Sequence, residues 1–106
     1  MIKAPNITSL TIEKLSATSV QLSWDDVGEN FYYFVEMTKT RESSDESWLS
    51  LGYTSDNKWF SSDLKSLTHY KFRVRVVAEG FEISDWIETE EFETFAQNAY
   101  SFELIS

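Results

Sequence analysis

Residues 64–78 read Leu64-Lys65-Ser66-Leu67-Thr68-His69-Tyr70-Lys71-Phe72-Arg73-Val74-Arg75-Val76-Val77-Ala78, and this stretch decides the fold class. Tyr70, Phe72, Val74, Val76 and Ala78 fall on one face at period two, while Lys71, Arg73, Arg75, Val77 and Glu79 fall on the other. That is a central strand with one buried and one wet face, and residues 64–69 form the corner that feeds it.

Shorter stretches of the same kind lie on both sides. Residues 6–12 follow Pro5, which donates no ladder bond and suits the start of an edge strand. Residues 14–18 read as a turn with Leu15 as its apolar anchor, and residues 19–24 alternate with Val20, Leu22 and Trp24 on one face. After the loop 25–30 comes a third strand, 31–40, with Tyr33, Val35 and Met37 opposed to Tyr32, Phe34 and Glu36. A polar loop leads to a fourth strand at 48–54 and a fifth at 58–63, with Trp59 or Phe60 turned inward. Glu79, Gly80, Phe81 and Glu82 make a turn before the last strand, 86–94. Seven short strands without a helical period predict an all-β sandwich.

The chain has 106 residues, a length that suits one domain with a modest core, and four Trp, five Tyr and eight Phe to fill it. Nine basic residues against eighteen acids give a net charge of −9. This excludes nucleic acid and anionic membranes as expected partners, because both reward basic side chains. Beyond Arg75 the chain carries acids, Glu79 to Glu103, and no base. The absence of Cys removes disulfides, thiolate metal sites and thiol nucleophiles. No apolar run approaches the length that spans a bilayer, and residues 1–16 lack the apolar segment of a signal peptide, so membrane insertion is not expected.

In order and spacing, several of these residues resemble a fibronectin type III domain. They are Pro5 with Leu10 and Ile12; Ser19-Val20-Gln21-Leu22-Ser23-Trp24; Tyr33-Phe34-Val35-Glu36-Met37; Leu64 six residues before Tyr70; and Ser84-Asp85-Trp86 leading into Phe92-Glu93-Thr94. The resemblance covers residues 5–94 and implies one domain over 1–94, an all-β, seven-stranded immunoglobulin-like sandwich. It also implies a core tryptophan at Trp24 and a tyrosine corner in which the Tyr70 hydroxyl returns to upstream backbone while its ring packs under Leu64. Ser66 and Leu67 stand where the family usually places Pro and Gly. Residues 95–106 lie beyond the resemblance. There Tyr100, Phe102 and Leu104 alternate with Ser101, Glu103 and Ile105, as in an extra edge strand, a linker, the start of a next domain or a strand that pairs with another chain.

No catalytic, cofactor or metal site stands out. His69 is the lone histidine and has no thiolate or imidazole partner for zinc. Asp25, Asp26 and Glu29 do not follow the EF-hand spacing and read as a solvated acidic loop. Gly-rich phosphate loops, Ser/His/Asp sets and HExxH are missing, so the chain is expected not to be an enzyme.

The candidate interaction face is the outward side of the sheet that holds the third and sixth strands: Tyr32, Phe34, Lys71, Arg73, Arg75 and Trp86. Two readings stand for it. It is a contact patch for a partner, or Trp86 and the arginines stack on each other as a cation–π ladder that serves the fold. Ser84-Asp85-Trp86 is also similar to half of the tryptophan–serine repeat of cytokine-receptor modules, with Ile83 and Ile87 where that motif has Trp and Ser. Asn6-Ile7-Thr8 is an N-glycosylation triplet.

The resemblance implies a non-catalytic module of a larger extracellular, cell-surface or virion-surface protein, acting as spacer, cell-adhesion or protein-binding domain beside neighbouring domains. An intracellular location stays open. Two alternatives accompany it. One is a receptor-like binder using Tyr32, Phe34, Arg73, Arg75 and the Gly80 loop. The other is an accessory domain of a carbohydrate-active enzyme, with Tyr32, Phe34 or Trp48 stacking on sugars.

Overall fold

The structure, a computed structural model, describes residues 2–41 and 47–97. Its strands are β1 (Leu10–Ser16), β2 (Ser19–Trp24), β3 (Tyr32–Lys39), β4 (Leu49–Thr54), β5 (Lys58–Ser61), β6 (His69–Val77), β7 (Ile87–Glu88) and β8 (Phe92–Glu93). They form two antiparallel sheets, β1-β2-β5 and β4-β3-β6-β7, with β8 also paired to β6. Burial alternates without a break along β2 and β6, as the period-two pattern requires. Val20, Leu22 and Trp24 meet Tyr33, Val35, Tyr70, Phe72, Val74 and Val76 between the sheets. Trp24 stands edge-on to Tyr33 with ring centroids 5.3 Å apart.

One lateral side of the sandwich is closed by an aromatic ring. Trp59 on β5 turns inward and Phe60 is 58% exposed, which settles the register of that strand. The Trp59 ring lies so close over Gly52 of β4 that a Cβ there would come within 3.2 Å of it.

Three expectations need correction. The first strand begins at Leu10, because the carboxylate of Asp25 accepts the N–H groups of Thr8 and Ser9 at 3.0 and 2.9 Å and takes that backbone out of any ladder. The segment before it crosses to the other sheet, where Ala4 N–H donates to Glu82 O and Glu82 N–H donates to Ile2 O. Residues 14–16 are strand rather than turn, and Leu15 is no anchor: a register irregularity between Lys14 and Ser16 leaves it 45% exposed.

The third correction concerns residues 86–94, which are not one continuous strand. Three buried hydroxyls, on Ser84, Thr89 and Thr94, take over part of the ladder to β6 and its entry. Ser84 Oγ accepts the N–H of Val76 at 2.7 Å, Thr89 Oγ1 that of Phe72 at 3.0 Å and Thr94 Oγ1 that of Thr68 at 3.0 Å. In each case the hydroxyl residue's own N–H donates back to the carbonyl of the same partner. The last segment thus spends five residues where its partner spends four, and each surplus residue swings outward and interrupts the strand. The alternating residues proposed for an extra strand at 98–106 lie outside the described residues.

Candidate functional site

The outward face of the larger sheet is built by register. Along β3 and β6, Phe34 stands opposite Arg75, Glu36 opposite Arg73 and Thr38 opposite Lys71. Tyr53 of β4 stands opposite Phe34, and Glu88 of β7 opposite Arg73. Side chains at these positions share one face, because the period along a strand is two.

They assemble into a continuous stack. The guanidinium of Arg73 lies between the rings of Trp48 and Trp86, 4.1 and 4.0 Å from their centroids. That of Arg75 lies 4.1 Å from Trp86 and 5.6 Å from Phe34. Phe34 then packs on Tyr53 at 4.7 Å. Each cation–π contact contributes about 0.5 to 2 kcal/mol, more where water is excluded.

The two arginines differ in their anions. Arg73 donates from Nε and Nη2 to Glu36 Oε1 at 2.9 and 2.6 Å, and Ser50 Oγ donates to the other carboxylate oxygen of Glu36 at 3.0 Å. Arg75 forms no ion pair or hydrogen bond among the described residues. It is a cation held against aromatic rings, with no carboxylate from the described residues.

Of the residues expected on this face, Phe34, Arg73, Arg75 and Trp86 form the stack. Tyr32 stands beyond it, opposite Val77 and 54% exposed, and Lys71 lies at the other end, 3.4 Å from Glu88. The contact-patch and ladder readings are therefore not alternatives by position: the ladder forms the floor, and the exposed aromatics stand beside it. Sequence reasoning missed Tyr53, which is 64% exposed beside Phe34, and the role of Glu36. An aromatic at an alternating position of β4 was the available signal. Trp48, a candidate for sugar stacking, has its ring engaged by Arg73.

Trp24 and Leu64 are buried, and the Tyr70 hydroxyl accepts the N–H of Lys65 at 2.8 Å. Leu67 adopts φ 48° in the position where the family carries Gly, and Thr94 Oγ1 locks the same corner by donating to Lys65 O at 2.6 Å. At the opposite pole, Asp26 Oδ1 accepts the N–H of Gly28 and the hydroxyl of Tyr33. Desolvation acts to raise the Asp25 carboxyl, but the donors of Ser9 and Thr8 outweigh it and hold it below its ordinary value. Burial, together with the neighbouring Asp26, raises the Tyr33 phenol. His69 opens β6, 3.9 Å from Glu93. Among the described residues no three His, Asp or Glu side chains are grouped to hold a metal ion.

Solved structures share this fold. A multi-domain segment of titin superposes with a TM-score of 0.70 at 26% identity, over 90% of this chain and 33% of that one. The fn3 domain of the human collagen alpha-1(XX) chain superposes with a TM-score of 0.70 at 17% identity, over 89% of this chain and 88% of that one. The chain has a fibronectin type III fold. No protein-family model matches it. In sequence it is 55% identical over 109 residues to the baseplate wedge protein gp7 of Enterobacteria phage T4, across 96% of this chain. The chain spans 11% of the length of that relative. No helix among the described residues is long and apolar enough to cross a membrane.

Proposed function

We propose that this fibronectin type III module is a non-catalytic assembly domain of a larger virion protein, and that it binds another protein of the particle through the outward face of its larger sheet. The observation that carries this reading is Arg75, a guanidinium clamped by Phe34 and Trp86 with no carboxylate partner among the described residues. Exposed Tyr32 and Tyr53 flank it. Aromatic and arginine side chains at the centre of a patch are what interface hot spots use, and a partner's Asp or Glu would meet Arg75 on pre-ordered rings. Likeness to a baseplate wedge protein supports an assembly role.

A photo-crosslinking residue at position 53 tests this in assembled particles of the parent protein. The expected adduct joins the chain to a different virion protein, and Arg75→Ala reduces it without changing the folding of the module. Adducts only with neighbouring parts of the same polypeptide would make the module a spacer.

A further inference from the structure

The second lateral side of the sandwich is built differently from the one Trp59 closes. There β1, the edge of the small sheet, faces β7 and β8 at the edge of the large one. An open groove of about 420 Å³ runs between them, lined by Leu10, Ile12 and Phe92 below and by Glu88, Glu90 and Glu91 above. It lies where the hydroxyl of Thr89 stands in for a main-chain carbonyl as acceptor of the Phe72 N–H, and where Glu90 and Glu91 are exposed between the short strands β7 and β8.

The groove is stapled at both ends. On one side Lys3 and Asn6 bind Asp85. On the other, Lys14 Nζ donates to Glu93 O at 3.0 Å and lies 4.5 Å from the centre of the Phe95 ring. Between Leu10 and Lys14 the edge of β1 that no other described strand pairs spans about 13 Å at the rise of an extended chain, room for four or five residues.

We infer that this groove takes a short extended segment of another protein, laid along the edge of β1, with apolar side chains on Leu10, Ile12 and Phe92 and basic side chains toward the glutamates. Three features select that occupant. An unpaired strand edge offers main-chain hydrogen bonds that only another backbone satisfies fully. The floor is apolar, so one side of the segment must be too. Among the rim carboxylates, Glu91 is paired to Arg41 and Glu88 to Lys71, whereas Glu90 has no cation among the described residues. The chain's −9 charge adds to the attraction for a basic segment. This surface borders the arginine–aromatic face, with Glu88 common to both, and either one stands if the other fails.

The test is titration of the isotopically labelled 106-residue chain with the capped hexapeptide Lys-Val-Arg-Ile-Lys-Ser, followed by amide chemical shifts. Expected are weak saturable shifts confined to residues 10–14 and 87–93. A peptide with Thr and Ser in place of Val and Ile should cause none. Glu90→Lys, an exposed substitution that leaves the fold alone, should weaken binding about tenfold at low salt. Absence of shifts at millimolar peptide would overturn the inference, as would shifts on the Phe34 face, equal binding of the polar peptide or an unchanged affinity in Glu90→Lys.

Discussion

Thr89 and Phe72 exchange two hydrogen bonds, one of them through a side chain: Thr89 N–H donates to Phe72 O at 2.8 Å, and Thr89 Oγ1 accepts the N–H of Phe72 at 3.0 Å. Both groups lie in the buried interior, so the hydroxyl is a structural substitute for a carbonyl. Thr89→Val keeps the shape and leaves the Phe72 N–H unpaired, and it should cost about 1 to 3 kcal/mol in urea unfolding. Thr89→Ser keeps the acceptor and should cost less. If the two variants unfold alike, the hydroxyl does not carry the ladder.

Arg73 makes a sharper case, because its partner is charged. Glu36 is 9% exposed and its carboxylate receives two bonds from Arg73. Arg73→Met strands that charge, and the expected loss is about 3 to 5 kcal/mol. Replacing both partners, Glu36→Leu with Arg73→Met, removes the stranded charge and should restore most of the stability. A double variant as unstable as Arg73→Met would place the loss in the Trp48 and Trp86 contacts instead.

The chain departs from its fold family at Leu67, which occupies φ 48° while largely exposed. A left-handed backbone costs a side-chain-bearing residue about 1 to 2 kcal/mol, and glycine returns part of that as entropy of the unfolded chain. Leu67→Gly should therefore stabilise the fold by about 0.5 to 1 kcal/mol, seen as a higher thermal midpoint. A lower midpoint would mean that the Leu67 side chain contributes packing that outweighs its backbone.

What the sequence made legible follows from which interactions are periodic. The β2 and β6 strands, Trp24, the Leu64–Tyr70 corner and the arginine–aromatic face all rest on alternation and residue type, and these are visible in one dimension. The breaks come from single polar side chains acting across the fold. Asp25 captures the backbone of Thr8 and Ser9 and delays β1, and the hydroxyls of Ser84, Thr89 and Thr94 cut the last strand. Those three recur every fifth residue, a spacing that matches neither strand nor helix and so offered no pattern to read. Tyr53 was missed because its place beside Phe34 depends on the β3–β4 register, which shifts between Val35 and Glu36.

Gly52 should resist substitution. Its φ of 148° disfavours any side chain, and an added Cβ would lie 3.2 Å from the Trp59 ring that closes the sandwich. Gly52→Ala must push Trp59 outward, with an expected cost of about 1 to 3 kcal/mol. A double-mutant cycle with Trp59→Leu should show that the two losses are not additive. Additive losses would assign the cost to the backbone of β4 alone.

The pole opposite the tyrosine corner should give the stability profile two pH limbs. Asp25 titrates below its ordinary value of 3.8 in the folded chain, so its contribution is present above that pH and is lost as pH falls through the folded value. Asp25→Asn keeps an acceptor for Thr8 and Ser9 but does not titrate, and should flatten the acid limb. Tyr33 titrates above its ordinary value of 10.0, so its contribution is complete below pH 10 and is lost as pH rises through the raised folded value. Tyr33→Phe should flatten the alkaline limb. It should also lower stability at neutral pH, because the N–H of Val27 loses its acceptor at 3.1 Å and Oδ1 of Asp26 loses one of its two donors at 3.2 Å. Urea unfolding from pH 2.5 to 11 on the two single variants separates the limbs, and an alkaline limb that survives in Tyr33→Phe would assign that titration to another residue.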